Sequence, residues 1–186
     1  MNTIIKLTGI ISEIIVFSIF LYCRLKVKKF NPKKETFSHF GSIKTTAKIF
    51  NAGLLLYLVF RTIFIFKVVD YFKLWNNLLV VYSYVIALIS VFLAAIFTVR
   101  EYRVIHFIVT RLGVITSIIF LISLSISLMG KNYNLGIFNF MIFLSLLIIG
   151  VGFVLRKRTN AIFQIYFFTP IIIWDWVMTM KLFNII

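Results

Sequence analysis

Apolar residues fill this chain in six long blocks, near residues 4–22, 48–66, 77–99, 106–129, 135–155 and 161–180, separated by short polar connections. Each block approaches or exceeds the roughly 20 residues that an α-helix needs to cross about 30 Å of hydrocarbon. A backbone in lipid must satisfy its own hydrogen bonds, which a helix does within one segment. The pattern therefore predicts an all-α fold, a bundle of six transmembrane helices. These blocks and their connections use nearly all of residues 1–186, so the chain reads as a single membrane domain with no separate soluble unit.

Composition agrees. Of 186 residues 62% are hydrophobic and 13% charged, and the mean hydropathy is +1.06. A water-soluble domain needs far more charged surface than this. The first block is apolar and N-terminal like a signal peptide, but it is followed by "CRLKVKK" with no small-residue cleavage site, so it is read as a permanent helix. Cys23 is the lone cysteine, which rules out an internal disulfide and a thiolate metal site.

The formal charge of +15 raises the question of nucleic acid, but its distribution follows the connections. The odd-numbered connections carry fourteen Lys and Arg, among them Lys44, Lys48, Arg100, Arg103, Arg111, Arg156, Lys157 and Arg158, against five on the other side. Such a bias places the odd loops in the cytoplasm of a cell-membrane protein and both termini outside. Topology thus accounts for the basic charge, and no nucleic-acid partner is implied. Lys26, Lys28, Lys29, Lys33 and Lys34 are also placed to rest on anionic lipid headgroups, at about 1 kcal/mol each near the surface. Tyr71, Trp75, Tyr133, Trp174 and Trp176 lie toward the outer ends of their blocks, as an aromatic belt does.

Candidate chemistry is sparse. The stretch "TFSHFGSIKTTAKIFNAGLLLY" places Ser38, His39 and Gly41 just before block two and Asn51 at its start; "REYRVIHFIVT" opens block four with His106; "AIFQIYFFTPIIIW" puts Gln164 one turn into block six. By loop parity all six positions belong to one side of the membrane. Three segments thus bring hydrogen-bonding groups to one depth, where a common cavity or interhelical polar packing would satisfy them. Pro170 falls inside block six, where it cannot donate to the preceding turn.

The motifs "TFSHFG", "IFNAGL", "IH" and "IFQ", in this order and spacing, resemble the prokaryotic six-span family of unknown function (domain of unknown function 998) related to the damage-regulated autophagy modulator proteins. Those relatives read Ile-Ser-Asp/Glu-x-Gly, Phe-Asn, a His at the fourth span and Glu-Arg in the last. In this chain His39 stands in place of the acidic residue and "QI" in place of Glu-Arg. The resemblance implies a six-helix fold and a loose association with lipid handling and membrane trafficking. Relatives are drawn with the Ser-Asp-x-Gly loop on the outer face; the charge distribution here argues for the cytoplasmic one.

Catalysis has little to work with. A zinc hydrolase needs several His ligands with a carboxylate, and His39 and His106 are the two histidines, with Glu35 or Glu101 to complete a poor site. No metal site or cofactor is expected. A Ser38 and His106 nucleophile pair lacks an evident acidic orienter. The leading expectation is a non-enzymatic protein that binds a lipid or small amphiphile in an interhelical polar cavity. A small-molecule transporter or permease subunit and a lipid-modifying enzyme using the Ser/His cluster are the alternatives.

Asp175, set between two tryptophans in "IIIWDWVM", needs a partner. Arg61 and Asp175 each lie five residues before the same end of their blocks, which puts opposite charges at equal depth. An unpaired charge at a helix centre costs on the order of 3 kcal/mol by insertion scales, so the two are expected to face each other. Glu13 competes for Arg61 but is expected about 6 Å deeper, at 1.5 Å per residue. For the orientation, a Lys33→Cys change in a Cys23→Ser background is expected to resist a membrane-impermeant maleimide on intact cells. Asn132→Cys is expected to react, and the reverse pattern inverts the assignment.

Overall fold

The computed structural model describes residues 3–155 and 160–185. Among these residues lie six long helices, α1 (Thr3–Lys26), α2 (Ala47–Tyr71), α3 (Leu78–Ile96), α4 (Arg103–Met129), α5 (Tyr133–Leu155) and α6 (Ala161–Leu182), one short 3-10 helix (Phe37–Ser42), and no strand. The fold is an all-α six-helix bundle, and each long helix is apolar enough to cross a membrane. Arg156, Lys157 and Arg158, counted above with the basic loops, fall outside the described residues.

Each helix packs on its neighbours in sequence, and α6 returns to α1 to close a ring across which α2 also touches α6. Side chains such as Ile14, Phe17 and Leu21 on α1, Leu55 and Val59 on α2, and Ile148 on α5 point outward, more than a third exposed. A water-soluble protein does not present so much apolar surface on every side; lipid is the solvent it suits.

Helix ends depart from the apolar blocks where polar residues extend or stop them. The first helix continues to Lys26, and Arg24 and Lys26 suit the negative end of its dipole. The second continues to Tyr71 because Lys67 and Asp70, on one helical face, pair at 2.6 Å. The third stops at Ile96, three residues early, where Phe97 turns extended and gives its carbonyl to the His106 ring at 2.8 Å.

Small residues allow close approach. A Cβ on Gly53 of α2 would run into the Ile19 side chain of α1, and one on Gly113 of α4 would lie 3.2 Å from Ser90 of α3. Hydroxyls along α4 donate to their own backbone: Thr116 to Leu112 O at 2.8 Å, Ser123 to Ile119 O at 2.8 Å and Ser125 to Leu121 O at 2.7 Å. Pro170 sits buried in α6, which passes through it without ending.

One correction concerns Trp174. Trp75, Tyr133 and Trp176 are exposed as belt residues are, but Trp174 is 1% exposed, in the core with Phe64 and Phe120 edge-on to it. A buried indole needs an acceptor. It finds Asn139 Oδ1 at 2.5 Å, while Asn139 Nδ2 donates to Leu121 O at 2.8 Å and Ser125 Oγ at 2.6 Å. This fully buried asparagine joins α4, α5 and α6. Asn139→Leu would strand the indole N–H, and is expected to lower stability by about 1–3 kcal/mol in a denaturant titration. A loss no larger than at an exposed site would remove the asparagine from this role.

Candidate functional site

Between α1 and α2 the chain folds back over the start of α6. Asn160 caps α6 by accepting from Phe163 N–H at 2.9 Å, and its Nδ2 donates to Lys33 O at 3.0 Å. Ala161 N–H donates to Glu35 O at 2.7 Å, and Gln164 Oε1 accepts from Phe37 N–H at 2.7 Å. The first turn of a helix has spare N–H groups, and here loop carbonyls use them. The 3-10 helix is thereby fixed against the bundle.

A 3-10 helix has three residues per turn, so Ser38 and Gly41 share one side. Both border a cavity of about 230 Å³, together with Asn51, His106 and Gln164. Five of the six polar positions singled out in the sequence thus meet in one space. His39, one residue on from Ser38, is turned elsewhere and does not border it. Its Nε2 lies 3.3 Å from Glu35 Oε1 with the side chain 44% exposed, which corrects the expectation for this residue.

Local bonds define what these groups offer. Gly41 lets the 3-10 helix lie close to α2: a Cβ there would lie 2.7 Å from Asn51 Oδ1, so the Asn51 side chain would have to shift. Since a carbonyl only accepts, the His106 ring donates from Nδ1 to Phe97 O. Ser38 Oγ lies 2.9 Å from Thr36 Oγ1, and no hydrogen bond links it to His106. The two share a cavity without forming a nucleophile–base pair. Most of the remaining wall is apolar, including Val16, Phe20, Leu54 and Val109.

A second chamber of about 90 Å³ adjoins the first, with Tyr57, Val91, Ser117 and Ile171 lining both. Arg61 borders it. Asn51, Leu54, Leu58 and Arg61 follow a helical stripe on α2, so the polar end of the large cavity and Arg61 lie about 15 Å apart along the axis.

Arg61 Nη1 donates to Asp175 Oδ2 in a close ion pair. Glu13 Oε1 lies 3.5 Å from the same nitrogen. The place of Glu13 in the sequence predicts a position deeper than Arg61, but both carboxyls face the guanidinium. The reason is helix length. Because α2 continues past its apolar block to Tyr71, Arg61 lies ten residues from that end, as Glu13 lies ten from Thr3. The Phe64 and Trp174 rings flank the guanidinium, with centroids at 6.0 and 5.5 Å.

Tyr57 and Ser117 also line both cavities and Asn139 accepts from Trp174, though no motif in the sequence marks them. Tyr57 had a usable signal in its position four residues before Arg61, one turn away on the same face. Among the described residues no three His, Cys, Asp or Glu side chains are grouped to hold a metal.

No family model, curated protein or solved structure matches the chain. Fold and composition define its class, a multi-pass α-helical membrane protein.

The shared guanidinium sets an order of damage. Arg61→Leu would leave two buried carboxyls and is expected to cost about 3–5 kcal/mol, more than Asp175→Leu, which leaves Arg61 with Glu13. In a thermal-unfolding cycle the Arg61→Leu, Asp175→Leu double variant is expected to deviate from additivity by about 1–3 kcal/mol. Additive losses would show that the ion pair is not energetically coupled.

Proposed function

We propose that this protein binds a lipid or small amphiphile between its helices. The observation that carries the reading is the cavity of about 230 Å³, apolar along most of its wall and polar where Ser38, Asn51, His106 and Gln164 meet. Ligand sites of this kind combine an apolar lining with a few convergent polar groups that orient the molecule. A chain in hydrocarbon and a head at hydrogen-bonding side chains is the arrangement an amphiphile needs.

The resemblance of "TFSHFG", "IFNAGL", "IH" and "IFQ" to the six-span family of unknown function supports the same reading through that family's association with lipid handling. We further propose a cell-membrane location with the basic loops in the cytoplasm. Lys26, Lys28, Lys29, Lys33 and Lys34 are all exposed at one end of the bundle, available to anionic headgroups.

Native mass spectrometry after mild detergent extraction tests the proposal. The expected result is a retained lipid, lost when Val91→Phe fills the junction of the two cavities while the unfolding temperature holds. A retained polar metabolite would favour transport. Time-dependent loss of an acyl chain, abolished by Ser38→Ala or His106→Ala, would favour a lipid-modifying enzyme.

A further inference from the structure

The wall of the larger cavity is polar in places without carrying a fixed charge. Among the described residues that border it there is no Lys, Arg, Asp or Glu. Lys26, Lys28, Lys29, Lys33 and Lys34 lie at the same end of the bundle, yet they are exposed and stand outside this wall. A charged head taken out of water here would meet no counter-charge in a low-dielectric site, a heavy cost for either sign.

Two carboxamides, Asn51 of α2 and Gln164 of α6, are brought to the polar end by the same 3-10 helix. Gln164 Oε1 accepts from Phe37 N–H at 2.7 Å, so its Nε2 hydrogens remain for another acceptor. Asn51 Oδ1 lies against Gly41, where a Cβ would come within 2.7 Å of it. The Asn51 amide makes no hydrogen bond with a described residue. Both side chains are partly exposed and both border the cavity. The wall hydroxyls of Ser90 and Ser117, by contrast, donate to their own helices, at 2.8 Å to Ile86 O and 2.7 Å to Gly113 O. A carboxamide both donates and accepts, and so does a hydroxyl.

We propose that the ligand of this cavity is an uncharged, hydroxyl-bearing amphiphile with a single chain, its head seated at Asn51 and Gln164. This rests on the amphiphile-binding reading and names its ligand class. The carboxamides replace the water bonds that a hydroxyl gives up, whereas nothing in the wall replaces the hydration of an ion; the site therefore selects by desolvation. Size favours one chain, because about 230 Å³ falls below the roughly 300–1,000 Å³ of pockets for drug-sized molecules. The apolar wall formed by Val16, Phe20, Leu54 and Val109 takes that chain.

Calorimetric titration of the protein in phosphatidylcholine nanodiscs tests this, with empty nanodiscs as the blank. The probes share one octyl chain and differ in the head: 1-octanol, octyl methyl ether, octyl sulfate and octyltrimethylammonium. The expected result is one saturable site for octanol, with the ether, which cannot donate, and both ions weaker by at least about tenfold. In Asn51→Leu, which keeps side-chain size, octanol is expected to weaken about tenfold and to lose its advantage over the ether. The unfolding temperature is expected to hold, because Asn51 has no hydrogen bond to a described residue to lose. An ion that binds the wild type as tightly as octanol would overturn the uncharged class, and an ether that does so would overturn the hydroxyl. An octanol preference that survives Asn51→Leu would overturn the seat at the carboxamides. The probe series on the wild type decides the ligand class whether or not the variant folds. Failure of all four probes to saturate would overturn the amphiphile-binding reading as well.

Discussion

The bundle is organised around a charge that cannot be left alone. Arg61 lies near the middle of α2 in surroundings that do not solvate it, and the helices of Glu13 and Asp175 must stand where their carboxyls reach it. A hydrophobic effect cannot hold helices together in lipid, because tails and side chains are equally apolar. Directional contacts must do so instead. The guanidinium ties α2 to α1 and α6, and these three elements also carry the wall and the covering loop of the cavity.

The opposite side of the ring uses a neutral version of the same device. Asn139 spends both ends of its amide on α4 and α6 from a position on α5. Trp174 faces both nodes, with its N–H toward Asn139 and its ring toward Arg61. One residue on α6 thus transmits packing between the charged cluster and the amide cluster. The neighbouring Asp175 answers the question of a carboxylate between tryptophans: the two positions point to adjacent polar partners.

The six helices were legible because hydropathy reports the solvent directly. Their ends were less so, since a helix obeys hydrogen bonding rather than apolarity: the Lys67 and Asp70 pair carried α2 beyond its oily block and altered the depth of Arg61. The opposite charges of Arg61 and Asp175 are readable from matched position; the part of Glu13 is not, because its depth relative to Arg61 depends on where α2 ends, at Tyr71 and not at the edge of the apolar block. Ser38, Gly41, Asn51, His106 and Gln164 could be grouped by side, but excluding His39 needs the phase of a 3-10 turn. Trp174 resembles a belt residue in sequence, since belts and cores use the same side chain. Asn139 stands alone among apolar neighbours and offers no spacing to read, although a core indole implies an acceptor somewhere.

The separation of Arg61 from its two partners along the chain has a consequence for biogenesis. Glu13 and Arg61 belong to the first two helices, while Asp175 lies 114 residues beyond Arg61. The α1–α2 hairpin therefore leaves the ribosome with its own internal ion pair and can partition into the bilayer as an electrically balanced unit. Asp175 arrives last, entering a site already neutral, and with it the ring closes from α6 onto α1. Synthesis thus proceeds from a self-sufficient hairpin to an assembly in which a much later helix brings the second carboxyl to the same guanidinium.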